Sequence, residues 1–247
     1  MMNPLRVLDY DESWSETNRL LSEFVNDYFG KSNEKNPVKI LEAGCGQQWN
    51  LMLNIDYELT GCDLSREAME IRRDRYGDLD KFIVGDLATV PIDNNSFDII
   101  YCSYVLEHLN GAEAVLERFF TWLKPGGLAI LIFPDRDAVF GFITRLTPHW
   151  FHIFYYKYIL KFPNAGLPGH SPFPTSYDPV TSRRGIHEFC RERDYWVPLE
   201  FAAALETPQS KWGVAALIAA IVKFIAAISF GRLTDRHQNL TLIIKKS

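Results

Sequence analysis

The sequence predicts a doubly wound α/β fold: a seven-stranded, mostly parallel sheet with helices on both faces. Three observations carry that reading. Five short runs rich in Ile, Val and Leu are separated by amphipathic stretches, the pattern of strands buried on both sides. Glycines and acids stand where these runs end, as they do where a parallel sheet meets a ligand. A final apolar run, NLTLIIKK, is available to close the sheet.

The elements follow in order. The stretch SETNRLLSEFVNDYFG places Leu20, Leu21, Phe24, Val25 and Tyr28 at helical spacing, with Ser15 as N-cap and Gly30 as stop. It precedes the first strand and can lie over the ligand edge, so residues 1–35 are expected to form a helical lid. VKILEAG, YELTGCDL, KFIVGDL, FDIIYCSYVL and GGLAILIFP read as strands one to five, within a core at 36–133. Between them, SREAMEIRRDRYG runs as a helix from the Ser65 cap to Gly77, and AEAVLERFFTWLKPGG stops where Pro125 forbids continuation. A cap is expected at 134–180, and a C-terminal part of the core at 181–247 that includes an apolar helix over 211–230.

Composition excludes several functions. With 31 acidic against 26 basic residues the net charge is −5, and no lysine-arginine block is present, so nucleic acid is disfavoured as a partner. Cys45, Cys62, Cys102 and Cys190 show no C-x-x-C pair and no metal-like spacing, which fits buried thiols in a reducing, cytoplasmic setting. The polar N-terminus carries no secretory signal pattern.

The stretch ILEAGCGQQWN bears on the ligand. Gly44 and Gly46 permit close backbone approach. A dinucleotide fingerprint would need a third glycine where Trp49 stands, and the indole argues against a pyrophosphate on a helix N-terminus. Glu42 would repel phosphate and attract an ammonium group. Asp63, 17 residues after Gly46, suits ribose hydroxyls. Asp86 can accept from an exocyclic amine, with Leu87 covering the ring. These residues suit a ligand with an amino-acid-like cation, a ribose and an adenine, and without phosphate.

In this order and at these separations, ILEAGCG, GCDLS, VGDLATVPI, FDIIYCSYVLEHL and LKPGGLAIL resemble the motifs of class I S-adenosylmethionine-dependent methyltransferases of the small-molecule type that includes quinone-biosynthesis enzymes. The resemblance covers about residues 36 to 133. It implies a Rossmann-like methyltransferase fold, S-adenosylmethionine as cofactor and S-adenosylhomocysteine as product. It also implies that Gly44, Gly46 and Gln47 pack against the methionine part, with Glu42 near the ammonium. Asp63, with Leu64 beside it, takes the ribose; Asp86 and Leu87 take the adenine; Ser103 and Tyr104 stand beside the methyl group and substrate. Gln48 departs from the family, where glycine is usual, and the segment from Gln47 to Tyr57 leaves room for only a short helix. Gln47, Gln48 and Trp49 are therefore expected either to grip the carboxylate of the cofactor or to wall off its pocket.

Methyl transfer needs in-line approach and exclusion of water, with a general base where the acceptor is a hydroxyl or protonated amine. His108 and Tyr104 are the catalytic candidates, with Glu107 placed to orient the imidazole; closing a helix turn is the alternative role for His108. No metal is expected, since Asp135 and Asp137 are acids two apart in a loop, an arrangement that is usually solvated. In the cap, HWFHIFYYKY and a proline-rich return bring His149, His152, His170 and Tyr177 among many rings, which suggests a hydrophobic or aromatic small-molecule acceptor. Arg183 and Arg184 either meet an acidic substrate group or line a solvated helix face. CSYV occupies the place where a base-methylating enzyme would show an Asn- or Asp-Pro-Pro-aromatic motif, so methylation of nucleic-acid bases is disfavoured. The apolar stretch 211–230 contains Lys223 and precedes a strand the core needs, which argues against spanning a membrane. Peripheral membrane contact, with Lys211, Trp212 and Arg232 as anchors, or a homodimer contact is expected there.

Overall fold

The structure, a computed structural model, describes residues 5–31, 36–46, 48–159, 161–167, 170–204 and 214–247. In chain order the elements are β1 (Arg6–Leu8), α1 (Tyr10–Phe29), β2 (Val38–Ala43), β3 (Tyr57–Asp63), α2 (Arg66–Tyr76), β4 (Lys81–Val84), β5 (Phe97–Ser103), α3 (Ala112–Trp122) and β6 (Leu123–Pro134). They continue with α4 (Val139–Leu146), α5 (His149–Phe154), α6 (Arg183–Glu192), β7 (Trp196–Ala203), α7 (Val214–Ile228) and β8 (Asn239–Lys245). Among the described residues these strands form one sheet in the order β1-β7-β8-β6-β5-β2-β3-β4. Only β8 runs antiparallel, to β6 and β7.

Alternation along each central strand divides the core between two faces. Leu41, Ile100, Leu131 and Leu242 face α3 and α6, while Ile40, Ile99, Ile130 and Ile243 face α1. All eight are fully buried, which is why the strands read as continuous apolar runs.

Three expectations need correction. The sheet has eight strands, because β1 adds in parallel to the edge of β7 inside the region expected to be only helical. Its Leu8, 7% exposed, belongs to the core face beneath α1, so burying it compensates for ordering this short strand. Helix α1 begins at Tyr10 with Asp9 as N-cap, which puts Ser15 inside the helix. No helix forms at 48–56. There, Ser22 Oγ accepts from the Met52 amide (2.9 Å), and Asn26 accepts from the Asn54 amide (2.7 Å) and donates to the Met52 carbonyl (3.3 Å). Side chains of α1 thus satisfy backbone groups that a helix would have satisfied internally.

Other expectations hold. Helix α2 is capped by Ser65, whose side chain accepts from the Ala68 amide, and stops at Gly77 in the left-handed region. All four cysteines are buried free thiols. Burial pushes Cys45 up to about 12, Cys62 to about 11 and Cys190 to about 12, and drives Cys102 higher still, so none is a ready nucleophile. Helix α7 spans 15 residues. Among the described residues no helix is long and apolar enough to cross a membrane.

Candidate cofactor cleft and active site

Strand order reverses at β2: the chain continues from it to β3 and β4 on one side and returns to β5 on the other. Beyond the carboxyl ends of β2 and β5 lies the crevice that such a reversal opens. The turn after β2 holds Gly44 at φ 71 and Gly46 at φ 51, both left-handed. A Cβ on Gly44 would stand 2.2 Å from Val105 Cγ2, so this turn is locked against the residue that follows the Ser103–Tyr104 end of the crevice. A Cβ on Gly46 would meet nothing within 4 Å, and only the backbone conformation calls for glycine there.

A buried arginine fixes this loop from behind. Arg72 of α2 is fully buried, donates to both oxygens of Asp78 (2.9 Å each) and to the Cys45 carbonyl (2.7 Å), and lies 2.8 Å from Glu42 Oε2. Glu42, expected near a ligand ammonium, lines the cleft and also faces a cation of its own chain. Burial pushes its carboxyl up to about 8 while Arg72 pulls the other way.

The crevice is a cleft of about 270 Å³ lined by Glu42, Gly44, Cys45, Gly46, Gln48, Asn50, Tyr101 and Ser103, with Trp14 and Tyr104 among its walls. The rings of Trp14 and Tyr104 are tilted 6.2 Å apart, so α1 borders the cleft at Trp14. Trp49 packs edge-on against Tyr101 at 5.4 Å, joins the core under α1 and is not among the residues lining the cleft. Gln48 lines the cleft; Gln47 lies outside the described residues. Among the described residues the buried Tyr101 hydroxyl lacks a well-formed hydrogen-bond partner, although Ser103 and Asn50 neighbour it, and Glu42 Oε2 has only its ion pair with Arg72. A polar ligand can complete such groups, as the amino-acid end of S-adenosylmethionine would. With no helix starting behind the glycines, no helix dipole is available for a phosphate.

The acids expected to hold ribose and adenine sit side by side. Asp63 ends β3, and its carbonyl accepts from the Gly85 amide at 3.0 Å, next to Asp86. One Asp63 oxygen accepts from the Gly46 amide (3.3 Å) and the other from the Ser65 amide (2.8 Å). A carboxylate offers about four acceptor sites, so two remain for vicinal hydroxyls. Asp86 is exposed and held by the Ala88 amide (2.8 Å). Leu64 is 70% exposed at the rim, whereas Leu87 is 5% exposed and part of the core, leaving little of it to cover a ring.

His108 closes a short 3-10 turn, Leu106–His108. Its Nδ1 stands 2.7 Å from the Pro174 carbonyl, and since a carbonyl only accepts, Nδ1 carries the proton and Nε2 is the basic nitrogen. Burial lowers its pKa and keeps the ring neutral near pH 7. It ties the cap to the core and is not among the residues lining the cleft. Next to it, Glu107 is 3% exposed, its Oε2 has no partner, and its carbonyl accepts from the Ser176 and Tyr177 amides. Burial raises the Glu107 carboxyl to about 7. A folded-state pKa above the unfolded value means the folded chain holds the extra proton, so stability falls as pH rises from about 4.5 to 7. Urea denaturation at pH 5 and pH 8 is expected to show Glu107→Gln removing up to ~3 kcal/mol of that loss. A pH dependence equal to wild type would contradict it.

The cap residues do not converge on the cleft. His152 Nε2 bonds Thr147 Oγ1 at 2.7 Å, and the His149 and His152 rings meet edge-on. His170 lines a separate cavity of about 330 Å³ with Tyr156 and Phe162. Tyr177 is buried at φ 50, with burial the largest cause raising its pKa and Glu107 the next. Arg183 and His187 both bond Glu200 (2.8 and 3.0 Å), so their partner lies within the chain. Asp135 accepts from His237 Nε2 (2.8 Å) and from the Asp137 amide (2.8 Å). Positions not singled out beforehand include Trp14, Asn50, Arg72, Tyr101 and His237. Only Trp14 carried a local signal, as a large ring on a segment expected to cover the ligand edge.

Comparisons with known proteins agree with this geometry. Residues 41–131 match the family described as a methyltransferase domain. Phosphoethanolamine N-methyltransferase 1 of Arabidopsis thaliana is 31% identical over 115 residues, 44% of this chain and 23% of that enzyme; the chain spans about a quarter of the length of the first such relatives. Demethylmenaquinone methyltransferase of Chlorobaculum tepidum is 28% identical over 176 residues, 66% of this chain and 69% of that one. Among solved structures, a SAM-dependent methyltransferase from Methanosarcina mazei superposes with a TM-score of 0.53 at 15% identity, covering 90% of this chain and 96% of that one, which shows the shared fold.

Proposed function

We propose that this chain, whose residues 41–131 match a methyltransferase domain, is a class I S-adenosylmethionine-dependent methyltransferase that transfers a methyl group to an oxygen or nitrogen of a hydrophobic or aromatic small molecule. The observation that carries this reading is the crevice beyond β2 and β5, with left-handed glycines at one wall, Asp63 and Asp86 at the neighbouring strand ends and two rings over its mouth. When bound, the sulfonium supplies an electrophilic methyl group. Asp63 accepts from the ribose hydroxyls, Asp86 from the adenine amine, and Glu42, Gln48, Asn50 and Tyr101 surround the amino-acid end. Trp14 and Tyr104 keep water from the reacting centre, and Ser103 and Tyr104 flank the approach of the acceptor. His108, neutral with Nε2 unprotonated, lies outside the lining of the cleft and serves as base only for an acceptor that extends beyond it toward the Pro174 segment. The aromatic cap supplies the acceptor side of the site, although His149, His152, His170 and Tyr177 do not line the cofactor cleft itself.

A second reading, methylation of a lipid or quinone, draws on the demethylmenaquinone relative, the broader of the two curated matches described above. Both readings are tested by incubating the protein with methyl-tritiated S-adenosylmethionine and panels of phenols, hydroquinones and lipophilic amines beside polar amines. Label passing into the organic phase is expected. Label confined to water-soluble acceptors would overturn the hydrophobic-acceptor assignment.

A further inference from the structure

We propose that α7 and the cap together form a docking surface for an anionic lipid bilayer. Helix α7 places Leu217, Ile221, Phe224 and Ile228 at steps of four, three and four residues, one stripe of a helix, and all four are exposed (60, 47, 64 and 54%). Of its described side chains only Val222 is buried. Phe230, just past its end, is 94% exposed. The cap presents a second apolar set: Leu146 and Trp150 at 67%, Phe154 at 48% and Tyr158 at 54% exposed. The two sets are neighbours, because α4 packs on α7 and the Val139 amide donates to the Thr234 carbonyl at 2.9 Å. Exposed apolar surface of this extent marks a site of association.

Charge identifies the occupant. The chain carries 31 acids, yet none lies in sequence between Asp137 and Asp178 and none between Glu206 and Asp235, the two stretches that hold the described residues of this surface. Lys157, Lys161, Lys223 and Arg232 are exposed within them, so a chain of net charge −5 turns a purely basic apolar face outward. A second copy docking by the same face would bring these cations together with no acid to pair them. An anionic bilayer complements both features: rings and aliphatic side chains enter the headgroup boundary while the lysines and arginine reach phosphate. The surface adjoins the cap through which a lipophilic acceptor would arrive, but docking does not depend on which acceptor is methylated.

The test is flotation of the full chain, without cofactor, on phosphatidylcholine vesicles with and without about one-third phosphatidylserine. Wild type is expected to float with the anionic vesicles, roughly tenfold more than with neutral ones, and to be released by high salt. Trp150→Glu with Phe224→Glu is expected to abolish flotation, and Lys157→Glu with Lys223→Glu to abolish the preference for anionic lipid. These side chains are exposed, so thermal melts and S-adenosylhomocysteine binding serve as unchanged controls. Failure of wild type to float, flotation unaffected by either pair, or a dimer in sedimentation that the same pairs dissolve would each overturn the proposal. Cofactor binding lost without flotation lost would count against the methyltransferase reading alone.

Discussion

Titration of S-adenosylhomocysteine into the Asp63→Ala protein is expected to show an affinity about a hundredfold or more below that of wild type. Two hydroxyl donors bonding one carboxylate contribute together roughly 3 kcal/mol, and each 1.4 kcal/mol is a factor of ten. The same side chain accepts from the Gly46 amide and the Ser65 amide, so its loss also loosens the glycine turn and the start of α2. Asp63→Asn separates the two effects. It keeps one acceptor, enough for the Ser65 amide but not for the Gly46 amide as well, and is expected to lose less stability than Asp63→Ala with affinity reduced about tenfold. Unchanged affinity in both variants would mean that the ribose lies elsewhere.

Arg72→Met is expected to destabilise the fold by about 3–5 kcal/mol in urea denaturation, because removing one partner strands buried polar groups. Asp78 loses both guanidinium bonds and the Cys45 carbonyl loses its donor. Glu42, whose carboxyl is already raised to about 8, answers by holding its proton more firmly. Freed from α2, the loop at Cys45 shifts and cofactor affinity falls with stability. Arg72→Lys keeps a charge without the two-pronged geometry and is expected to recover less than half of the loss. A loss below about 1 kcal/mol would show that Arg72 is solvated in place and that the loop is held by other contacts.

The parts of the molecule that were legible in the sequence are those governed by short-range rules. Period-two burial on both faces of β2, β5 and β6 wrote itself as unbroken apolar runs, and Ser65 with Gly77 marked both ends of α2. Gly44, Gly46, Asp63 and Asp86 were legible because strand ends in a parallel sheet gather around one crevice. What was hidden depends on pairing over distance. Glu42 read as a free carboxylate because its partner, Arg72, stands thirty residues on among arginines of no special appearance. Asp135 and His237 are separated by 102 residues, and nothing local announces their bond. Strand β1 has only three residues, too few for a period to emerge. The helix expected after the glycines is absent because Ser22 and Asn26 of α1, polar side chains with no motif around them, hold the loop extended. Several cap rings, Trp150, Phe154 and Tyr158 among them, are exposed, and periodicity reports burial rather than contact with an outside surface.

A crystal structure with S-adenosylhomocysteine decides whether the crevice beyond β2 and β5 holds the cofactor. Ribose hydroxyls are expected within hydrogen-bond distance of Asp63, the adenine amine on Asp86, the amino-acid end among Gln48, Asn50 and Tyr101, and the sulfur facing Ser103 and Tyr104. Density for the ligand outside this crevice, or its ribose away from Asp63, would contradict that placement.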